Sequence, residues 1–148
     1  MNNKTMRNII YIVSLFSTAV TIIALIFLPN LLQWYGSNIL NSTIDKKILL
    51  LLYITGIPFL IILISVVKLS KALMKKRAFS KDSLKELKII SICSCIDFLI
   101  FLGTIFVYKT VLCFVVMAAA FTVFMISFIV MELINNGIEL QSEVDLTI

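Results

Sequence analysis

Four long apolar runs, at positions 9–28, 48–67, 89–108 and 111–134, constrain this chain more than any other feature. A hydrocarbon core about 30 Å thick is crossed by roughly 20 apolar residues in helical form. Backbone in lipid must satisfy its own hydrogen bonds, which leaves helices and closed barrels. Unbroken apolar runs of this length are helices rather than alternating barrel strands. The expected fold is therefore all-α integral membrane, with four transmembrane helices in one unit, residues 1–148. Composition agrees: charged residues make up only 14% of the chain, against about 25% in soluble domains. The first run is too long for the roughly 7–15-residue core of a secretory signal, and no small-residue cleavage site closes it. It reads as a retained span ending at Pro29-Asn30.

Charge sets the topology. Of the 13 Lys and Arg residues, eight lie in the stretch 68–88 between the second and third runs: Lys68, Lys71, Lys75, Lys76, Arg77, Lys81, Lys85 and Lys88. Lys4 and Arg7 precede the first run, while Lys46, Lys47 and Lys109 fall in the other two connections. The positive-inside rule then puts both termini and the 68–88 stretch in the cytoplasm of a multi-pass cell-membrane protein. Such a surface would touch anionic lipid headgroups. The net charge of +5 is spent beside membrane segments, so direct nucleic-acid binding is not expected.

The basic stretch reads as a folded hairpin. The second helix is expected to run on to Lys76, with Lys68, Lys71 and Lys75 on one face and Leu69 and Leu73 on the other. Ser80 suits an N-cap, Asp82 suits the first turn, and Phe79 with Leu84 has staple spacing. The two arms would close on Leu69, Leu73, Leu84 and Leu87. The connection 29–47 contains Trp34 and Tyr35, which favour the headgroup level. The tail 135–148 is acidic, with Glu139, Glu143 and Asp145.

Within the spans, polar residues stand out. Ser14, Ser17, Thr18 and Thr21, followed by Ala24, form a small hydroxyl-bearing stripe. It suits a face packed on a neighbouring helix, or one that lines a ligand path. Pro58 frees the carbonyl of Ile54, to be filled by Thr55 or a neighbouring helix. The Ala118–Ala120 run permits close helix approach. Glu132, near the end of the fourth run, would pair with a hairpin lysine.

Asp97 carries the sharpest question. It lies nine residues, about 13 Å, beyond Lys88, near the middle of the bilayer. A carboxylate there costs at least about 2.5–3.5 kcal/mol on insertion scales, so it should face the bundle interior. Ser94 and Thr104 share its face, and Pro58 lies at similar depth. In its neutral form Asp97 would donate to the Ile54 carbonyl as an interhelical hydrogen bond. Its other reading is a proton- or cation-responsive group, or a ligand anchor.

Chemistry beyond that is sparse. The chain has no histidine, and Cys93, Cys95 and Cys113 lack zinc-knuckle spacing. They read as small apolar side chains. No phosphate loop, hydrolase triad or paired acid/base set is present. No catalytic residue, metal site or cofactor is expected, and the chain reads as a non-enzyme.

Two patches, KKRAFSKDSLKELKII at 75–90 and GIELQSEVDLTI at 137–148, resemble a bacterial membrane family known as domain of unknown function 2975. The resemblance implies a four-span membrane protein, often encoded beside a small Cro-repressor-like helix-turn-helix regulator. On that basis the first functional expectation is a regulatory membrane protein. Its partner surface would be Lys75, Lys76, Arg77, Phe79, Lys81, Lys85, Glu139, Glu143 and Asp145, and its spans would sense a membrane-active signal. The alternatives are a small transport or immunity protein that handles a ligand in the bilayer with Asp97, Ser94, Thr104 and Pro58, and a structural subunit of a larger membrane complex. A homo-oligomer is compatible with all of them.

Overall fold

The structure, a computed structural model, describes residues 3–35, 37, 46–75, 80–108 and 111–146. It consists of α1 (Asn3–Tyr35), α2 (Lys46–Met74), α3 (Lys81–Tyr108) and α4 (Val111–Leu146). Each helix contains a stretch long and apolar enough to cross a membrane. Helices adjacent in sequence pack on one another, α1 on α2, α2 on α3 and α3 on α4. Among the described residues, no Cα of α1 lies within 8 Å of one in α4. The bundle is thus a chain of three helix interfaces, with one side that no backbone contact closes.

Two helices run further than the sequence suggests. α1 does not stop at Pro29 but continues through it to Tyr35. Proline lacks the N–H that would bond the carbonyl four residues back, here Leu25. That carbonyl finds a donor elsewhere: the Tyr53 hydroxyl on α2 donates to Leu25 O at 3.2 Å. A neighbouring helix thereby makes an internal proline tolerable in lipid. The approach of α1 to α2 is close at the same level, because a Cβ on Gly56 would stand 2.6 Å from Leu25 Cδ2. α4 likewise runs on through residues 135–146, so most of the acidic tail is a helical extension rather than a separate segment.

The hairpin end has the molecule's apolar core. Leu87, Ile90 and Ile134 are buried together, with Leu69, Leu84, Met131 and Ile138 packed around them. Leu73, expected to join this set, is half-buried and stands outside it; α4 supplies Ile134 and Ile138 instead. Ser80 caps α3 as its sequence suggests, with the Ser83 N–H donating to Ser80 Oγ at 3.3 Å. α2 ends at Met74, and a turn bond from Lys75 N to Lys71 O closes it. Lys76, Arg77 and Phe79 lie outside the described residues, and so does the expected Phe79–Leu84 staple.

Outside that cluster the arrangement is inside-out. The buried side chains are small and polar, among them Ser14, Thr55, Ser65, Ser70, Ser94 and Thr104. Large apolar residues such as Phe16, Ile26, Leu50, Ile57, Leu99 and Phe106 face outward. In water such a surface would aggregate; in lipid it is the ordinary state, and small residues let helices approach. Many of the hydroxyls bond a carbonyl one turn back on their own helix, as in Ser70 to Val66 O at 2.8 Å and Thr104 to Ile100 O at 2.8 Å. That satisfies the hydroxyl donor without a partner helix.

Candidate functional site

α3 is the most enclosed of the four helices, and its inward face is polar along much of its length. Ser83, Ser94, Asp97 and Thr104 are all buried there. Their spacing follows the 3.6-residue repeat, so they stack along one line. The sequence keeps this line narrow by flanking it with Ile92, Ile96 and Leu99, which point to lipid.

Asp97 sits on this line at mid-bundle and is 6% exposed. Its Oδ1 is buried and has no hydrogen-bond partner. The carboxyl borders a cavity of about 340 Å³ to which all four helices contribute. Thr21, Ala24 and Leu25 come from α1, and Leu52, Thr55, Gly56 and Phe59 from α2. Ser94, Asp97 and Phe101 come from α3, and Val116, Ala119, Ala120 and Val123 from α4. The lining is apolar apart from Asp97 and three hydroxyls. Those hydroxyls are already engaged as donors: Thr21 to Ser17 O at 2.9 Å, Thr55 to Leu51 O at 3.1 Å, and Ser94 to Ile90 O at 2.8 Å. Asp97 is thus the one ionisable residue on the wall of an otherwise apolar chamber.

The structure brings Asp97 and Ser94 together at this cavity and leaves Thr104 and Pro58 out of its lining. No hydrogen bond joins Asp97 to the Ile54 carbonyl freed by Pro58. Thr55 does not serve that carbonyl either, because its hydroxyl reaches Leu51 O and Leu52 O. The hydroxyl stripe of α1 divides between two tasks. Ser14 is buried against α2, its oxygen 3.5 Å from Ser70 Oγ, while Thr21 and Ala24 line the cavity. Ala119 and Ala120, two of the three alanines of α4, also line it. The close contact of α4 is with α3, where Phe98 and Phe121 stack at 5.4 Å between ring centroids.

At the hairpin end, Lys75, Lys81, Lys85 and Lys88 are exposed, as is Glu139. Glu143 and Asp145 lie on the last turns of α4, and nothing is described of their side chains. Glu132 is exposed and forms no ion pair among the described residues. The carboxylate that takes a hairpin lysine is Glu86, whose Oε1 is 3.1 Å from Lys68 Nζ. Its second oxygen, Oε2, is buried without a partner. Sequence reasoning passed over Glu86 because it sits among lysines and looks like one more surface charge. The available signal was its position eleven residues before Asp97, on the same face of α3.

Cys93 is buried while Cys95 and Cys113 are half-buried, and none of the three forms a disulfide among the described residues. Among the described residues, no three Cys, Asp or Glu side chains gather to hold a metal ion.

Comparison with known proteins gives one finding. The model of a family described as protein of unknown function (DUF2975) matches residues 4–148. No curated protein matches the chain, and no solved structure does.

Proposed function

The chain belongs to the DUF2975 family of unknown function, and from there we propose that it is a non-enzymatic membrane protein. It takes a lipophilic small molecule into the cavity beside Asp97 and answers through the hairpin end of the bundle. One observation supports this reading above others: a mid-bundle chamber of about 340 Å³ lined by Asp97, a residue whose Oδ1 is buried without a partner. Small-molecule sites are mostly apolar hollows of roughly 300–1,000 Å³ with a few placed polar groups. Ionisable groups inside membrane bundles are rare and usually functional. A lipid-soluble ligand would come in from the bilayer between α1 and α4, the side that no backbone contact closes.

The test uses the protein in lipid nanodiscs with 1-(4-fluorophenyl)butane as probe, followed by its fluorine NMR signal. Saturable binding above that of empty nanodiscs, lost in Ala119→Leu, is the expected result. Binding unchanged by Ala119→Leu would contradict the reading, since that side chain projects into the chamber.

A second reading concerns the answering end. α4 continues past the apolar run, and its Ile134 and Ile138 pack with Leu84 and Leu87. The acidic extension and the basic hairpin are therefore parts of one packed body, supporting a docking surface for a small helix-turn-helix regulator on the cytoplasmic side. Co-purification from membranes of a helix-turn-helix protein encoded beside this one is expected. It should weaken when Lys75, Lys81 and Lys85 are changed to Gln. Failure of any association in membranes would remove the docking role and leave the cavity reading untouched.

A further inference from the structure

Resting on the cavity reading, we infer that the ligand is a lipophilic cation: an aryl or alkyl body in the chamber, with an ammonium head on Asp97. Three features of the site lead there. First, Asp97 is the one ionisable residue that lines the chamber, and it is a buried residue whose Oδ1 has no partner. A buried acceptor without a donor is destabilised, and a charged one more so. A guest N–H removes that deficit, and an ammonium also balances the charge.

Second, the site has nothing for an anion. Among the residues lining the chamber there is no Lys, Arg or backbone-amide cradle; the nearest polar neighbours are Thr21, Thr55 and Ser94. The donors of those hydroxyls go to their own helices, so none is left for an anion. Phe59 and Phe101 line the same chamber, and aromatic rings attract cations.

Third, the remaining charged groups deter a competing internal partner. Lys68, the described lysine already paired with an α3 carboxylate, bonds Glu86 at 3.1 Å. Glu86 lies eleven residues from Asp97, or about 16 Å along α3 at 1.5 Å per residue. A lysine tethered there does not reach mid-bundle. Among the described residues, Asp97 therefore has no cation of the protein's own, and one from outside is what the site lacks.

The experiment compares three probes that share one ring and chain on the wild-type protein in nanodiscs. They are 4-(4-fluorophenyl)butan-1-amine, the neutral 1-(4-fluorophenyl)butane and the anionic 4-(4-fluorophenyl)butanoate, each corrected for partition into empty nanodiscs. The amine is expected to bind at least tenfold more tightly than the neutral congener, and the acid not at all. In Asp97→Asn, close to isosteric, the amine should lose that tenfold margin while the neutral probe keeps its affinity within twofold. If the neutral probe binds as well as the amine, the cation assignment is overturned and the cavity reading stands. If neither binds saturably, both fall. The wild-type comparison needs no variant, so a poorly folding mutant does not protect the claim.

Discussion

The start and the middle of α3 live in different physical regimes. At its start, Leu87 and Ile90 are sealed by Leu69, Leu84 and Ile134, and a serine cap closes the first turn. Eleven residues beyond Glu86, the same face meets a chamber, and its carboxylate has an oxygen with no partner. The first region is organised like the core of a soluble protein. The second forgoes stabilisation, since unfilled volume and an unpaired buried carboxylate both weaken a fold. Such a pairing is what a binding protein needs: a rigid end that holds the helices in register, and a soft centre that a guest completes.

That contrast can be broken or sharpened by substitution. Leu87→Ala should cost about 2–5 kcal/mol, as large-to-small changes in packed cores do. Equilibrium unfolding in lipid–detergent mixtures, followed by far-UV circular dichroism, measures it. A loss under about 1 kcal/mol would mean that the hairpin end is not the rigid one. At the centre the sign reverses. Asp97→Leu should stabilise the ligand-free protein by about 1–3 kcal/mol in the same assay, because it removes a buried group without a partner. Destabilisation would show that the carboxyl is satisfied in the membrane.

Smaller effects refine the boundary between the regions. Ser80→Ala should cost about 1 kcal/mol through loss of the α3 cap, with faster amide exchange confined to the first turn of α3. Tyr53→Phe leaves the Leu25 carbonyl without its donor, and interhelical hydrogen bonds in membranes average about 0.6 kcal/mol. The expected loss is of that size, accompanied by faster amide exchange around Pro29. Unchanged exchange there would mean that Leu25 O needs no outside donor.

Much of the fold was legible in the chain. Apolar length gives four helices, and the Ser80 cap follows from residue type and position. What escaped has a common cause: it depends on a partner helix. Pro29 looks like a terminator until Tyr53, twenty-four residues on, supplies the missing donor. The tail looks like a polar appendage until Ile134 and Ile138 are seen packing on the hairpin. Leu73 has the spacing of a core residue, but α4 takes its place.

The candidate site divides in the same way. Asp97 and Ser94 could be picked out because a mid-span carboxylate is expensive and helical spacing puts a serine beside it. Thr104 shares their face but lies two turns along, beyond the chamber. Pro58 is left out of the lining although Thr55, Phe59 and Ile62 of the same helix belong to it. The sequence marked the alanines of α4 for close helix approach and gave no sign that Ala119 and Ala120 also line the chamber, which depends on where the other three helices stand. Glu86 shows the converse, a half-buried carboxylate disguised by its lysine neighbours.

The most direct measurement is photo-crosslinking in nanodiscs with a diazirine-bearing phenylbutylamine, the adducts mapped by mass spectrometry. A cavity that binds lipophilic amines at Asp97 should concentrate labelling on chamber residues such as Phe101, Ala119, Ala120 and Leu52. Excess unlabelled amine should compete it away, and Asp97→Asn should greatly reduce it. Labelling spread over outward residues such as Phe16, Leu99 and Phe106, indifferent to competitor and to Asp97, would contradict it.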